Sequence, residues 1–181
     1  MLPESQRPIN LEFFLLFIPV AFFSYMFHEF GHWSVGEILG NHMRYSLNLV
    51  SPAAGYYLHP SDELWVSLGG PGFSLLQAFI ALLVIEKSRT LYAYPFAFFS
   101  MFNRFFSDLL GGISRQDESR ISLLMGTGPY LAAVVILALL LLIVIRCSYR
   151  LNIAAKTNGY IVTACTVCQL LVIWTYQVFK L

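Results

Sequence analysis

Charge is scarce in this chain: only 12% of its 181 residues are Asp, Glu, Lys or Arg, about half the share usual in a soluble domain. Lys and Arg number 11 and Asp and Glu 10, for a net charge of +1. No basic field argues for nucleic acid, and no acidic tail argues for a basic partner. Cysteine is sparse as well, with only Cys147, Cys165 and Cys168. The last two form a C-x-x-C, but in an uncharged apolar stretch. A redox pair needs a soluble strand and helix, so these read as two small residues on a helix. A secretory signal is lacking too. Met1 to Asn10 hold two prolines and one acid, and no small-residue cleavage pattern follows the apolar run after them. The first hydrophobic segment is therefore expected to remain in the mature protein. No internal repeat or low-complexity linker breaks the chain, whose length suits one domain.

What fills the space is apolar. Hydrophobic residues make up 57% of the chain and the mean hydropathy is +0.67, values that point to lipid as the solvent. Four stretches, 11–39, 64–85, 121–145 and 157–179, reach the roughly 17 to 25 residues needed to cross a hydrocarbon core. A fifth, 91–103, carries no charge but is short. It spans only if it continues through Arg104 to Phe106 with the arginine snorkelling to the interface, and a re-entrant segment is the alternative. Between the first two stretches, Tyr45, Leu47 and Leu49 alternate with Arg44, Ser46 and Asn48, the period of a half-buried strand over 44–50. Ser51 to Gly55 then reads as a turn and Tyr56 to Leu58 as a short return strand. The expected fold is an all-α membrane protein of about five transmembrane helices with a small β-hairpin after the first span.

One motif carries chemistry. His28-Glu29-Phe30-Gly31-His32 is an H-E-x-x-H sequence near the far end of the first span. Residues four apart share a helix face, so both imidazoles can grip one metal ion while Glu29 acts on water beside it. Zinc suits the set, because it accepts two imidazoles and a carboxylate and keeps a position open for water. Ionisable groups are expensive inside a membrane segment, which makes them functional hypotheses by default.

H-E-F-G-H in a membrane helix resembles the site-2 protease family of intramembrane zinc metalloproteases. Gly69-Gly70-Pro71-Gly72 in the second span resembles that family's Gly-Pro helix, and Asn103 followed by Gln116-Asp117-Glu118-Ser119-Arg120-Ile121 resembles its third element, whose aspartate binds zinc. The likeness covers about residues 20–125. It departs where Glu118 follows Asp117 in place of glycine, where a Pro-rich stretch is missing, and where Ser74 or Gln77 stands for an asparagine after Gly-Pro. The resemblance implies one zinc per chain, held by His28, His32 and Asp117, with Glu29 as the general base. Asp117 could instead cap the helix that follows, and Asp108 and Glu118 are the competing carboxylates.

The glycines at 69, 70 and 72 also suit a close helix crossing. Arg104, Arg115 and Arg120 read as interfacial anchors, and His42 and His59 as surface residues. The expectation is a single polytopic peptidase domain over 1–181, with a catalytic core at about 11–145 and an additional C-terminal span at 157–179. Its substrate would be a membrane protein, unwound and bound by strand addition at residues 44–50. Accessory membrane proteins could select that substrate, and no nucleic acid is involved. A membrane zincin with Glu118 as third ligand and a metal-binding scaffold are the rival readings.

Overall fold

Asn10 opens the first helix. Its Oδ1 accepts the Phe13 N–H at 3.1 Å, satisfying one of the free donors of a helix start. The helix runs over Leu11–Leu15 (α1) and, after a break at Leu16, over Phe17–Ile38 (α2). Pro19 accounts for the break, since its ring crowds the Leu15 carbonyl and offers it no N–H. The computed structural model describes residues 9–179; most of the Met1 to Asn10 segment lies outside the described residues. Beyond the hairpin, helices follow at Asp62–Ser88 (α3), Tyr94–Phe106 (α4), Asp117–Leu124 (α5), Leu131–Leu151 (α6) and Ala155–Phe179 (α7). A 3-10 turn at Leu91–Ala93 leads into α4, and a π-helical turn at Ser107–Gly112 leads out of it.

Among the described residues four helical stretches are long and apolar enough to cross a membrane: Leu11–Ile38, Asp62–Ser88, Leu131–Leu151 and Ala155–Phe179. Their outward residues include Leu76, Phe79, Ile80, Leu83, Val134 and Leu142, all exposed. Polar side chains lie inside. Gln77 Nε2 reaches Ser24 Oγ at 2.8 Å, the Phe96 carbonyl at 3.0 Å and Ser100 Oγ at 2.9 Å, tying α2, α3 and α4 together. This inside-out polarity is what a lipid solvent selects, since buried polar groups must find partners within the protein.

The fifth segment does continue through Arg104 to Phe106, as a short and largely buried helix. α4 has 13 residues, about 20 Å of helix, and most of them are buried in the bundle. At its start the Tyr94 hydroxyl bonds Ser148 on α6 and Asn158 on α7. At its end Arg104 meets Asp117 and Glu118. α4 therefore runs between the two ends of the bundle, jacketed by longer helices. Arg104 does not snorkel; it is 6% exposed.

Two further boundaries move. The third span begins at Leu131, not 121, because Gly126 (φ 70°) and Gly128 (φ 81°), followed by Pro129, interrupt the helix. Ser122 bridges the gap: its carbonyl accepts the Thr127 N–H at 2.9 Å and its hydroxyl accepts the Ala132 N–H at 2.8 Å. The strand expected over 44–50 is divided. Met43–Tyr45 (β1) pairs antiparallel with Val50–Pro52 (β2), with Arg44 opposite Ser51. Ser46 closes a tight turn between them by donating its N–H and its hydroxyl to the Leu49 carbonyl, at 3.0 and 2.9 Å. Leu47 packs on the main apolar core, which anchors the turn. Tyr56 to Leu58 form no strand.

Candidate metal centre

The histidines and Asp117 come from opposite ends of a long stretch of chain. His28 and His32 sit one turn apart on the buried face of α2, and Asp117 is the first residue of α5. Gln116, not Asp117, occupies the N-cap position, without a side-chain cap bond. Asp117 turns its carboxylate to the histidines instead. Its Oδ2 lies 3.3 Å from His28 Nε2 and 3.1 Å from His32 Nε2, and the two Nε2 atoms are 3.2 Å apart.

These three atoms form a nearly equilateral triangle. Ligands bound at about 2.0 Å to one tetrahedral ion are separated by roughly 3.3 Å, the edge of that tetrahedron. Proton placement agrees. The Val66 carbonyl is 2.6 Å from His32 Nδ1 and can only accept, so Nδ1 carries a proton and the neutral imidazole turns its Nε2 lone pair inward. Ser74 Oγ is 3.0 Å from His28 Nδ1 and holds that ring from the same outer edge. Two ring nitrogens and a carboxylate crowded into this space need a proton or a metal cation between them. Outer hydrogen bonds to the remote ring nitrogens are typical of metal-ligating histidines. The buried group His28, His32 and Asp117 could hold a metal ion.

Glycine makes the approach possible. Gly31 on α2 and Gly69 on α3 meet backbone to backbone, and a Cβ on either would strike the other's carbonyl. A Cβ on Gly70 would collide with Nε2 of both histidines. Gly69 thus serves the close crossing expected of it and Gly70 borders the imidazoles, whereas a Cβ on Gly72 would meet open space. Of the two stand-ins for an asparagine, Ser74 touches His28, while Gln77 belongs to the structural network between α2, α3 and α4.

The triad opens into a cavity of about 500 Å³. Glu29 lines it beside the histidines, with Tyr25, Tyr57, Arg104 and Arg115, and Asn48 to Ser51 of the hairpin form one wall. Arg120 stands at the mouth, with Nη1 at 3.7 Å from Asp117 Oδ1 and Nε at 3.8 Å from Glu63. Asp108 is elsewhere. It lies on the π-helical turn against an apolar cleft with Phe105, Leu109 and Ile113, and burial pushes its carboxyl up to about 6. Glu118 is 1% exposed and turns to Arg104, with Oε1 at 3.6 Å from Nη1. Asn103 does not line the cavity; its Oδ1 accepts from Gln169 Nε2 at 2.9 Å. His42 and His59 are exposed.

Four participants escaped the sequence reading. The Val66 carbonyl carries no side-chain signal. Arg104 carried one, a charge inside an apolar run, but was read as an anchor. Tyr25 lies one turn before His28 on the same helix face, which could have marked it. Gln169 comes from the last helix, where its Nε2 bonds the Tyr25 hydroxyl at 2.5 Å, so α7 supports the cavity wall from outside the expected core of 11–145. Neither a protein-family model, nor a curated protein, nor a solved structure matches the chain.

Proposed function

We propose that the chain is a multi-pass membrane zinc metallopeptidase resembling the site-2 proteases, with α4 as a fifth, short crossing enclosed by the other four. The observation that carries the reading is the triangle of His28 Nε2, His32 Nε2 and Asp117 Oδ2, with sides of 3.1 to 3.3 Å, at the head of a cavity that Glu29 also lines. Two imidazoles and one carboxylate are a zinc donor set that leaves a position open. A zinc ion held there supplies a Lewis acid that acidifies water and polarises a carbonyl.

The chain's own groups do the rest. Glu29 takes the proton of the attacking water and passes it to the leaving amine. The bundle excludes bulk water from all sides but the cavity mouth, beside the hairpin. A substrate segment must unwind before its backbone can be attacked, because helical hydrogen bonds shield each peptide unit. The edge of β2 offers replacement partners. Strand addition expected at 44–50 is thereby narrowed to Val50–Pro52, the strand on the cavity side. Membrane proteins with an extended segment near the interface are the substrate class.

Glu118 faces Arg104 and not the histidines, which disfavours a zincin with a glutamate third ligand. A metal-binding scaffold predicts instead that Glu29 is dispensable. Glu29→Gln decides between them: it keeps the shape and cannot accept the proton. The variant should hold one zinc per chain and lose about 10²- to 10⁴-fold in turnover of a membrane-embedded reporter. Turnover equal to the unaltered protein would favour the scaffold.

A further inference from the structure

Among the described residues Arg104 is the one cation buried beside the triad, and its bonding is incomplete. Nη1 lies 3.6 Å from Glu118 Oε1 and 3.9 Å from Asp117 Oδ2, both too long for hydrogen bonds. Nε is buried with no partner. Both oxygens of Glu118 are likewise buried without a hydrogen bond. A guanidinium presents five N–H donors in a rigid fork, and a buried charge is costly unless its donors are used. Yet this side chain borders the same cavity as Glu29 and the two histidines, where a bound ligand can meet the guanidinium.

A cation is tolerated next to the candidate metal site because carboxylates surround it: Glu118 and Asp117 lie 3.6 and 3.9 Å from Arg104, and Glu29 shares the cavity. Arg104 Nη1 is nearer to Glu118 than to the Asp117 oxygen that faces the histidines.

We infer that Arg104 is a catalytic residue of the proposed peptidase, donating to the carbonyl oxygen of the scissile peptide bond as that oxygen becomes negative. The inference rests on the peptidase reading above. In the step it serves, the water oxygen bonds to the carbonyl carbon while its proton passes to Glu29, and the π pair of the carbonyl moves onto oxygen. There the fixed guanidinium meets it. Collapse then breaks the C–N bond, and the amine leaves with the proton from Glu29. Preorganised donors aimed at developing charge in a site shielded from water are the strongest single contribution to such reactions. Arg104 enters from α4, backed by Asn103 and Gln169, so its position is set by buried structure and not by a loop.

The test uses the full chain in detergent, loaded with cobalt(II), and two probes: a hydrophobic phosphinic peptide, whose tetrahedral anion mimics the charged oxygen, and the amide peptide of the same sequence. Removing the arginine alone would strand Glu118, so Arg104→Gln is combined with Glu118→Gln and compared with Glu118→Gln alone. Arg104→Lys is the conservative partner. One cobalt per chain is expected throughout, read from its visible absorption. The double variant should bind the phosphinic peptide about 10²- to 10³-fold more weakly than Glu118→Gln alone, with amide-peptide affinity changed by less than about threefold. Arg104→Lys should recover part of the loss. Unchanged phosphinic affinity, equal weakening of both probes, or loss of cobalt from the double variant and from Arg104→Lys would each overturn the role of Arg104 and leave the peptidase reading standing. Absence of cobalt uptake by the unaltered protein would overturn that reading itself.

Discussion

Gly70 stands against the Nε2 edges of His32 and His28 with no room for a methyl group. The hydrogen at its Cα is therefore part of the geometry of the two imidazoles. Gly70→Ala must push at least one ring away from the other donor atoms. Displacing groups that orient metal ligands costs about 10- to 100-fold in affinity, and a loss of that size is expected for zinc in a competition titration with a chromophoric chelator. Gly72, whose Cβ would meet open space, is the control. Gly72→Ala should bind zinc as the unaltered protein does, and equal affinities for both variants would refute the steric account.

The two aspartates that compete in the sequence should separate cleanly. Asp117→Ala removes one corner of the triangle and should abolish stoichiometric zinc, whereas Asp108→Asn should retain one zinc per chain. Asp108→Asn should also change stability with a defined sign. Its carboxyl is raised from 3.8 to about 6 by burial, so the cost to stability grows between those values, is complete above about 6, and vanishes well below 3.8, where the group is protonated in both folded and unfolded chains. The amide should stabilise at neutral pH by under about 1 kcal/mol, given the solvent around a half-exposed group, and by nothing in acid well below the unfolded value. Thermal unfolding at the two pH values measures the difference.

Much of this site was legible because its parts are local. His28, Glu29 and His32 fall within five consecutive residues, and helix periodicity alone places both imidazoles on one face. Hydrophobic length found the four long helices. It leaves α4 open, where two environments share one composition: nothing in Phe98-Phe99-Ser100-Met101-Phe102 distinguishes burial in protein from burial in lipid. The alternation of 44–50 misled for a related reason. Leu47 points into the core from a turn as well as it would from a strand, and the Ser46 to Leu49 bonds that make the turn have no period. Asp117 was reachable only through family likeness, since a distance of 3.1 Å to a histidine 85 residues away leaves no trace in spacing.

The hairpin pairing fixes which backbone groups of β2 are free. Ala53 donates to the His42 carbonyl and Ser46 to the Leu49 carbonyl, so Arg44 and Ser51, midway between, form the hydrogen-bonded pair of the antiparallel ladder. The Val50 N–H then points away from β1. Val50→Pro removes that donor without touching the ladder. It should lower cleavage of a membrane reporter by about tenfold, the value of one hydrogen bond in the net range of 0.5–1.5 kcal/mol, with zinc content unchanged. Ser46→Pro is the contrasting variant, since it breaks the turn itself and should destabilise the hairpin. Full turnover by Val50→Pro protein would exclude strand addition at this edge.

Gln169 joins α7 to Tyr25 on α2 and to Asn103 on α4. Gln169→Leu keeps the apolar volume but leaves the Asn103 carbonyl oxygen and the Tyr25 hydroxyl buried without this donor, at about 1–3 kcal/mol for an unsatisfied group. A lower unfolding temperature in detergent is expected, together with reduced turnover at retained zinc content. An unchanged unfolding temperature would mean that α7 is a passive neighbour.

The separation of 85 positions between His32 and Asp117 also sets an order in time. During synthesis the two histidines are made first, and the carboxylate that completes their set emerges only after α3 and α4. Until then the nascent chain holds half a coordination sphere, with no third ligand to fix an ion against Glu29. In the proposed peptidase, hydrolytic competence would thereby be deferred until most of the helices have been made, and machinery handling the early segments would meet only an incomplete centre.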